Sequence, residues 1–279
     1  MPVQSTETAT PVIEKRRRPR KPDLRRHTGF RSDVLGNVRD LIVYMPPGYR
    51  RIPFRDYPVL YMQDGQNLFD PATSFIPGVY WRLGETADAL IRSGKIEPLI
   101  IVGIYNTENR IYEYTPSKDR KLGGGGAGLY RRMLLKEVQP FIDAHYRTMK
   151  EPSNTAVGGS SLGGLVSLYV GLRSPAVFGK LAIMSPSVWW GGGAILKTLE
   201  RWRASKRPQI WLDIGAEEGR KAVRDARRLR RALSFEGWKE GKNMKYAEFP
   251  GAQHNENYWA QRVGSVLEYL FPGPKAGKP

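Results

Sequence analysis

The decisive stretch is Thr155-Ala-Val-Gly-Gly-Ser-Ser161-Leu-Gly-Gly164. A short apolar run leads into it, and a helical run, Leu162–Arg173, leaves it. Within it, Gly159-Ser160-Ser161-Leu162-Gly163 matches the pattern G-x-S-x-G. By composition alone, about 0.2 such matches arise by chance in a chain of this glycine and serine content. The setting gives the match its weight. A serine nucleophile at a sharp strand-to-helix turn needs glycines two before and two after it, because side chains there would collide across the turn. The first amide of the following helix, that of Leu162, then points at the place where an oxyanion would form. Ser160 occupies the x position and points away from the tip.

Working outward, the pattern is alternating. Strands are expected at Asp40–Met45, Val59–Gln63, Leu99–Tyr105, Thr155–Gly159, Leu181–Ser185, Ile210–Ile214 and Lys245–Phe249. Several are continuous apolar runs, as in parallel strands covered on both faces. Helices are expected at Gly78–Ser93, Gly128–His145, Leu162–Arg173, Gly219–Glu236 and Asn257–Leu270. Such alternation predicts an α/β fold with a mostly parallel sheet of about eight strands flanked by helices. The length of 279 residues fits one such domain, and a hydrophobic fraction of 40% supports a sizeable core. The expected division is a flexible basic arm over 1–30, a catalytic domain over 31–272 and a short tail over 273–279.

A serine hydroxyl needs a base to take its proton. The chain has three histidines. His27 falls in the basic arm. His145 closes a helix upstream of the serine and suits a structural hydrogen bond. His254 follows the last strand and precedes the last helix, so it is the candidate base. The orienting carboxylate should lie between serine and histidine in chain order, just after a strand. Asp213 sits inside its strand and would project from a sheet face. Glu217 and Glu218 lie beyond the strand end; Glu218 is preferred and Glu217 is second.

Composition excludes other chemistries. With no cysteine there is no disulfide, thiolate metal site or cysteine nucleophile. Gly123–Gly126 reads as a flexible loop; it lacks the Lys and Ser/Thr of a phosphate-binding loop. No cofactor or metal is required. No run approaches the length of a membrane-spanning helix. The N-terminus has charge after polar residues and no apolar core, unlike a secretory signal, which predicts a cytoplasmic protein. The formal charge of +18 is concentrated in Lys15–Arg26 and in Arg220–Arg231. These runs read as a solvated tail and a solvated helix face, with weak nonspecific polyanion contact as the alternative.

Taken together, several segments make the chain resemble the esterase D or enterochelin-esterase-like branch of the α/β-hydrolases. They are Arg39–Tyr49, Tyr57–Phe69, Gly158–Gly164, Ser185-Pro-Ser-Val-Trp-Trp190, Gly215-Ala-Glu-Glu218 and His254. The resemblance spans about Leu35 to Phe271. It implies carboxylic ester hydrolysis by a Ser161–His254–Glu218 triad on a small-molecule ester. It implies a second oxyanion amide from Gln66, in the turn Asp64-Gly65-Gln66, beside that of Leu162. It favours Glu218, three residues after Gly215. It places Trp189 and Trp190 where such enzymes shape the substrate pocket, with core filling the competing role, and Asn67 is a further pocket candidate. Arg110 is expected to pair with Glu113 as structure, with contact to an anionic substrate the alternative. Only about twenty residues separate the Ser185 strand from the Ile210 strand, too few for a large cap. An acyltransferase with the same triad and a non-catalytic polyanion-binding scaffold are the rival functions.

Overall fold

Strand β3 (Val59–Gln63) and strand β4 (Ile100–Ile104) are buried at every residue, and both sit at the centre of an eight-stranded sheet. The computed structural model describes residues 21–274. The remaining strands are β1 (Asp23–Ser32), β2 (Asn37–Met45), β5 (Thr155–Ser160), β6 (Lys180–Met184), β7 (Gln209–Gly215) and β8 (Met244–Phe249). The spatial order is β1-β2-β4-β3-β5-β6-β7-β8. β2 is antiparallel to both β1 and β4, and every other neighbouring pair is parallel. The parallel strands therefore end at one edge, where the order reverses around β3 and β5, and loops gathered at that edge can build a site.

Helices cover both faces. On one side lie α2 (Ala127–Met133), α3 (Gln139–His145), α4 (Leu162–Arg173), α5 (Ala194–Glu200) and α6 (Arg220–Phe235). A π-helical stretch, Leu134–Val138, joins α2 to α3. Their buried side chains, among them Tyr130, Leu165, Leu168, Leu199 and Leu229, merge with Val59, Tyr61, Val102 and Val157 of the sheet. On the other side lie α1 (Leu83–Arg92) and α7 (Glu256–Leu270), which pack Leu83, Ala87, Val263, Val266 and Leu267 onto Leu60, Ile101 and Ala182. A sheet buried this way on both faces needs the near-continuous apolar strands seen in the sequence.

Four features differ from the sequence reading. The arm expected over 1–30 is strand β1 from Asp23 onward; residues 1–20 lie outside the described residues. β1 is an edge strand rich in Arg, a composition that protects an exposed edge and disguises it as a tail. His27 thus belongs to the sheet, with Nε2 2.6 Å from the Tyr146 hydroxyl. At the other end, Gly273 donates to the Lys95 carbonyl, so the domain runs past 272. Gly123–Gly124 is not a free loop: it pairs with Lys118–Asp119 in a small hairpin. α5 lies in the short β6–β7 connection, where no helix was expected. The Arg-rich run is α6, which buries Ala226, Leu229 and Leu233 and pairs Arg227 with Glu248 and Arg230 with Glu240. That is the solvated face read from its charges. Among the described residues no helix is long and apolar enough to cross a membrane.

Candidate active site

Ser161 stands between β5 and α4 with φ 57° and ψ −123°. A non-glycine residue held there is strained and persists only where its surroundings demand it. They do: the Ser161 amide donates to the Met184 carbonyl at 3.1 Å, and its own carbonyl accepts from Leu165 and Ser187 at 3.0 Å. The flanking glycines have the expected role. A Cβ on Gly159 would come within 2.9 Å of the Gly163 backbone, and one on Gly163 within 3.0 Å of Asp64. The Leu162 amide opens the helix that follows.

His254 lies on the loop between β8 and α7, and Glu218 on the loop after β7. The structure brings both to the serine. Ser161 Oγ is 2.9 Å from His254 Nε2, and His254 Nδ1 is 2.6 Å from Glu218 Oε2. The His254 side chain is 43% exposed and that of Glu218 only 1%, so the hydroxyl end of the chain is open and the carboxylate end is sealed. Burial pushes the Glu218 carboxyl up, but hydrogen bonds from His254, Ser185 and the Gly215 amide outweigh it and leave it below its ordinary value. Glu217, the other candidate, is exposed. The His254 and Trp259 rings pack nearly perpendicular at a centroid distance of 5.0 Å.

The turn after β3 packs against this corner. Asp64 is left-handed, with φ 56°, and Gly65–Asn67 form a single 3-10 turn. Arg110 grips Asp64 with two bonds, Nε to Oδ1 at 2.7 Å and Nη2 to Oδ2 at 2.8 Å, and Asn106 donates to the same carboxylate at 2.6 Å. Arg110 is therefore structural, but its partner is Asp64. Glu113 instead pairs with the buried Arg39 at 2.8 Å. A Cβ on Gly65 would lie 2.5 Å from the Gly103 backbone, which leaves no room for a side chain. Gly65→Ala should therefore cost about 1–3 kcal/mol of stability from overpacking and displace the Gln66 amide. Thermal melts and ester turnover of the variant check this; a wild-type melt with wild-type turnover would contradict it.

The three pocket candidates separate. Trp190 is core: it is 2% exposed, and its indole N–H donates to the Ser117 carbonyl at 2.8 Å. Asn67 is a buried brace rather than a pocket wall. Its Nδ2 reaches Glu256 at 3.3 Å, and its Oδ1 accepts from the Phe75 amide at 2.9 Å. Trp189 is 44% exposed. Among the described residues there is no cluster of ligating side chains for a metal ion.

Residues to which the sequence reading gave no role in the site, Asp213 among them after it was set aside as the acid, surround the same chain of atoms. Ser187 Oγ is 3.3 Å from Ser161 Oγ. Ser185, Arg262 and Asp213 lie beneath Glu218, all buried. Asp213 accepts from the Trp211 indole at 2.9 Å and is pushed up to about 6 by burial, against the pull of Arg262. One signal for this layer was present in the sequence: Arg262 is a charge on the inward stripe of α7, among Trp259, Val263 and Val266.

Comparison with known proteins shows the family and the fold. A family model described as "Putative esterase" matches residues 32–268. The uncharacterized protein YbbA of Bacillus subtilis is 27% identical over 87% of this chain and 96% of its own length. The ferri-bacillibactin esterase BesA of the same organism is 29% identical over 72% of this chain and 75% of its own. The crystal structure of the enterobactin esterase of Shigella flexneri with enterobactin superposes with a TM-score of 0.74 at 20% identity, over 90% of this chain. This chain spans 60% of that protein's length, and the likeness shows a shared fold. With an α/β-hydrolase sheet, a strained serine at its strand-to-helix turn and a family match over most of its length, the chain belongs to the esterase family and is a serine ester hydrolase.

Proposed function

We propose that the protein hydrolyses carboxylic esters of small or moderate size through an acyl-enzyme on Ser161, with His254 as base and Glu218 as orienting acid. The continuous contact from Ser161 Oγ through His254 to Glu218, 2.9 Å and then 2.6 Å, carries this reading. In the productive tautomer His254 carries its proton on Nδ1, facing Glu218, which leaves Nε2 free to accept. Ser161 attacks the ester carbonyl as Nε2 takes its proton. The amides of Leu162 and Gln66 donate to the oxyanion. The imidazolium then protonates the leaving alcohol, and the acyl-enzyme is cleared by a water activated in the same way. Glu218 stays ionised throughout and stabilises the imidazolium.

The short β6–β7 connection holds the seven-residue α5 and a single 3-10 turn, too little for a large cap over the serine. Trp189 offers exposed aromatic surface beside Ser187, so an acyl or alcohol group of modest size can rest there. The relatives named as siderophore esterases support ester cleavage as the reaction.

The test is turnover of a panel of short-chain aryl esters, with products analysed in the presence and absence of an added acceptor alcohol. The expected result is release of the free acid in both cases. Transesterified product in place of acid would make the enzyme an acyltransferase with the same triad. Absence of turnover across the panel, with salt-dependent binding of a polyanion, would favour the inert scaffold instead.

A further inference from the structure

Beneath Glu218 lies a closed set of buried groups that the proposed chemistry does not itself use. Ser185 ends the β6 side of the site with φ 43°, a strained value for a serine. Its Oγ meets three partners. The Trp259 indole N–H donates to it at 3.1 Å, Arg262 Nη2 donates to it at 2.9 Å, and Glu218 Oε1 lies 2.5 Å away. A hydroxyl has one proton to give and two lone pairs to receive with. The two N–H groups occupy both lone pairs, and neither Trp nor Arg can accept. The Ser185 proton is therefore directed onto Glu218 Oε1.

Oε1 also receives the Gly215 amide at 2.8 Å, so that oxygen is filled by donors and cannot hold a proton of its own. Its twin, Oε2, is turned to His254. The charged groups facing Glu218 are few. His254 approaches from the β8–α7 loop; Arg262, 2% exposed, approaches from α7 with Nη2 3.5 Å from Oε1; and Asp213 on β7 lies beyond it, 3.4 Å from Arg262 Nη1. Glu256, at the start of α7, is turned toward Asn67. With both carboxylates ionised, Arg262 leaves one net negative charge in the buried set. The imidazolium that forms during catalysis brings it to zero.

We infer that Ser185 and Arg262 are positioning residues: together they keep Glu218 ionised and point Oε2 at His254, so that the buried charge is balanced when the imidazolium forms. The strain at Ser185 is the cost of placing one hydroxyl where all three partners reach it. This inference rests on the triad reading above and adds to it a layer on which the acid depends.

The experiment is kcat and KM against pH for Ser185→Ala and Trp259→Phe beside the wild type, with Ser161→Ala as the blank. Loss of a hydrogen bond to a buried carboxylate should lower kcat of Ser185→Ala by about 10–100-fold, with KM within about twofold. A carboxylate short of a donor pulls harder on the imidazolium proton, so the acid limb of kcat/KM should move to higher pH. Trp259→Phe frees the Ser185 hydroxyl to rotate away and should move both readings in the same direction by less, and it carries the test if Ser185→Ala fails to fold. A variant that melts earlier but keeps the wild-type kcat and acid limb would show a merely structural role and overturn the inference. That outcome with an inactive Ser161→Ala sinks this layer alone, whereas an active Ser161→Ala removes the triad itself.

Discussion

Ser161→Ala should lower kcat on an aryl ester by about 10⁶-fold, the loss seen when the nucleophile of a serine triad acting as a unit is removed. The size follows from what remains. His254 and Glu218 keep their places, but there is no oxygen to accept the acyl group. The oxyanion amides and substrate binding alone then give the residual rate over water. Folding should survive, because the side chain makes one contact to His254 and one to Ser187, and the Ser161 backbone bonds do not involve it. The small alanine also reaches the strained φ of 57° at a cost similar to serine. Circular dichroism and a thermal melt should therefore match the wild type while turnover is lost. Residual activity near the wild-type value would show that another group carries the chemistry.

Glu218→Gln should be the second large effect, a drop in kcat of about 10⁴-fold, by analogy with the amide substitution of the acid in serine-protease triads. The substitution preserves shape and reverses the logic of the hydrogen bond. A glutamine can turn its NH₂ toward His254 Nδ1, and then the ring carries its proton on Nε2. That nitrogen faces Ser161 and can no longer accept. The other amide atom meets the Ser185 hydroxyl and the Gly215 amide, both donors, so the oxygen is held on that side and the NH₂ is directed to His254. The wrong tautomer is thus favoured by the surroundings and not only permitted. The measurement is single-turnover acylation beside KM. The acylation rate should fall with KM little changed. A tenfold loss or less would mean that His254 does not depend on Glu218 for its tautomer.

What the sequence could convey follows from how far apart the cooperating residues are. The parallel strands were legible because a doubly covered strand must be apolar throughout, and Val59–Gln63 falls at the residues expected, as does the helix Leu162–Arg173. Ser161 was legible because the turn needs glycines at set distances along the chain. His254 was legible by elimination, with His27 and His145 both placed away from Ser161: His27 beside Tyr146, and His145 Nδ1 2.7 Å from the Phe141 carbonyl. Other features had no local signature. β1 is held by pairing with β2, and its Arg-rich composition looks like that of a tail. Trp189 and Trp190 are adjacent, yet one is exposed and the other buried, because the Gly191–Gly193 turn and the hairpin beneath it decide which ring faces inward. The pairing of Arg110 with Asp64, 46 residues away, overrides the nearer Glu113 because Arg39 already claims that carboxylate. The layer under Glu218 joins β6, β7 and α7, and only the fold makes them neighbours.

The most direct test of the central claim is covalent labelling with an aryl phosphonate ester, read by peptide mass mapping. The reagent mimics the tetrahedral intermediate and needs both an activated serine and a working oxyanion site. The account predicts one adduct per chain, on the peptide carrying Ser161, abolished in Ser161→Ala and slowed strongly in His254→Ala. An adduct on another residue, or undiminished labelling of Ser161→Ala, would contradict it.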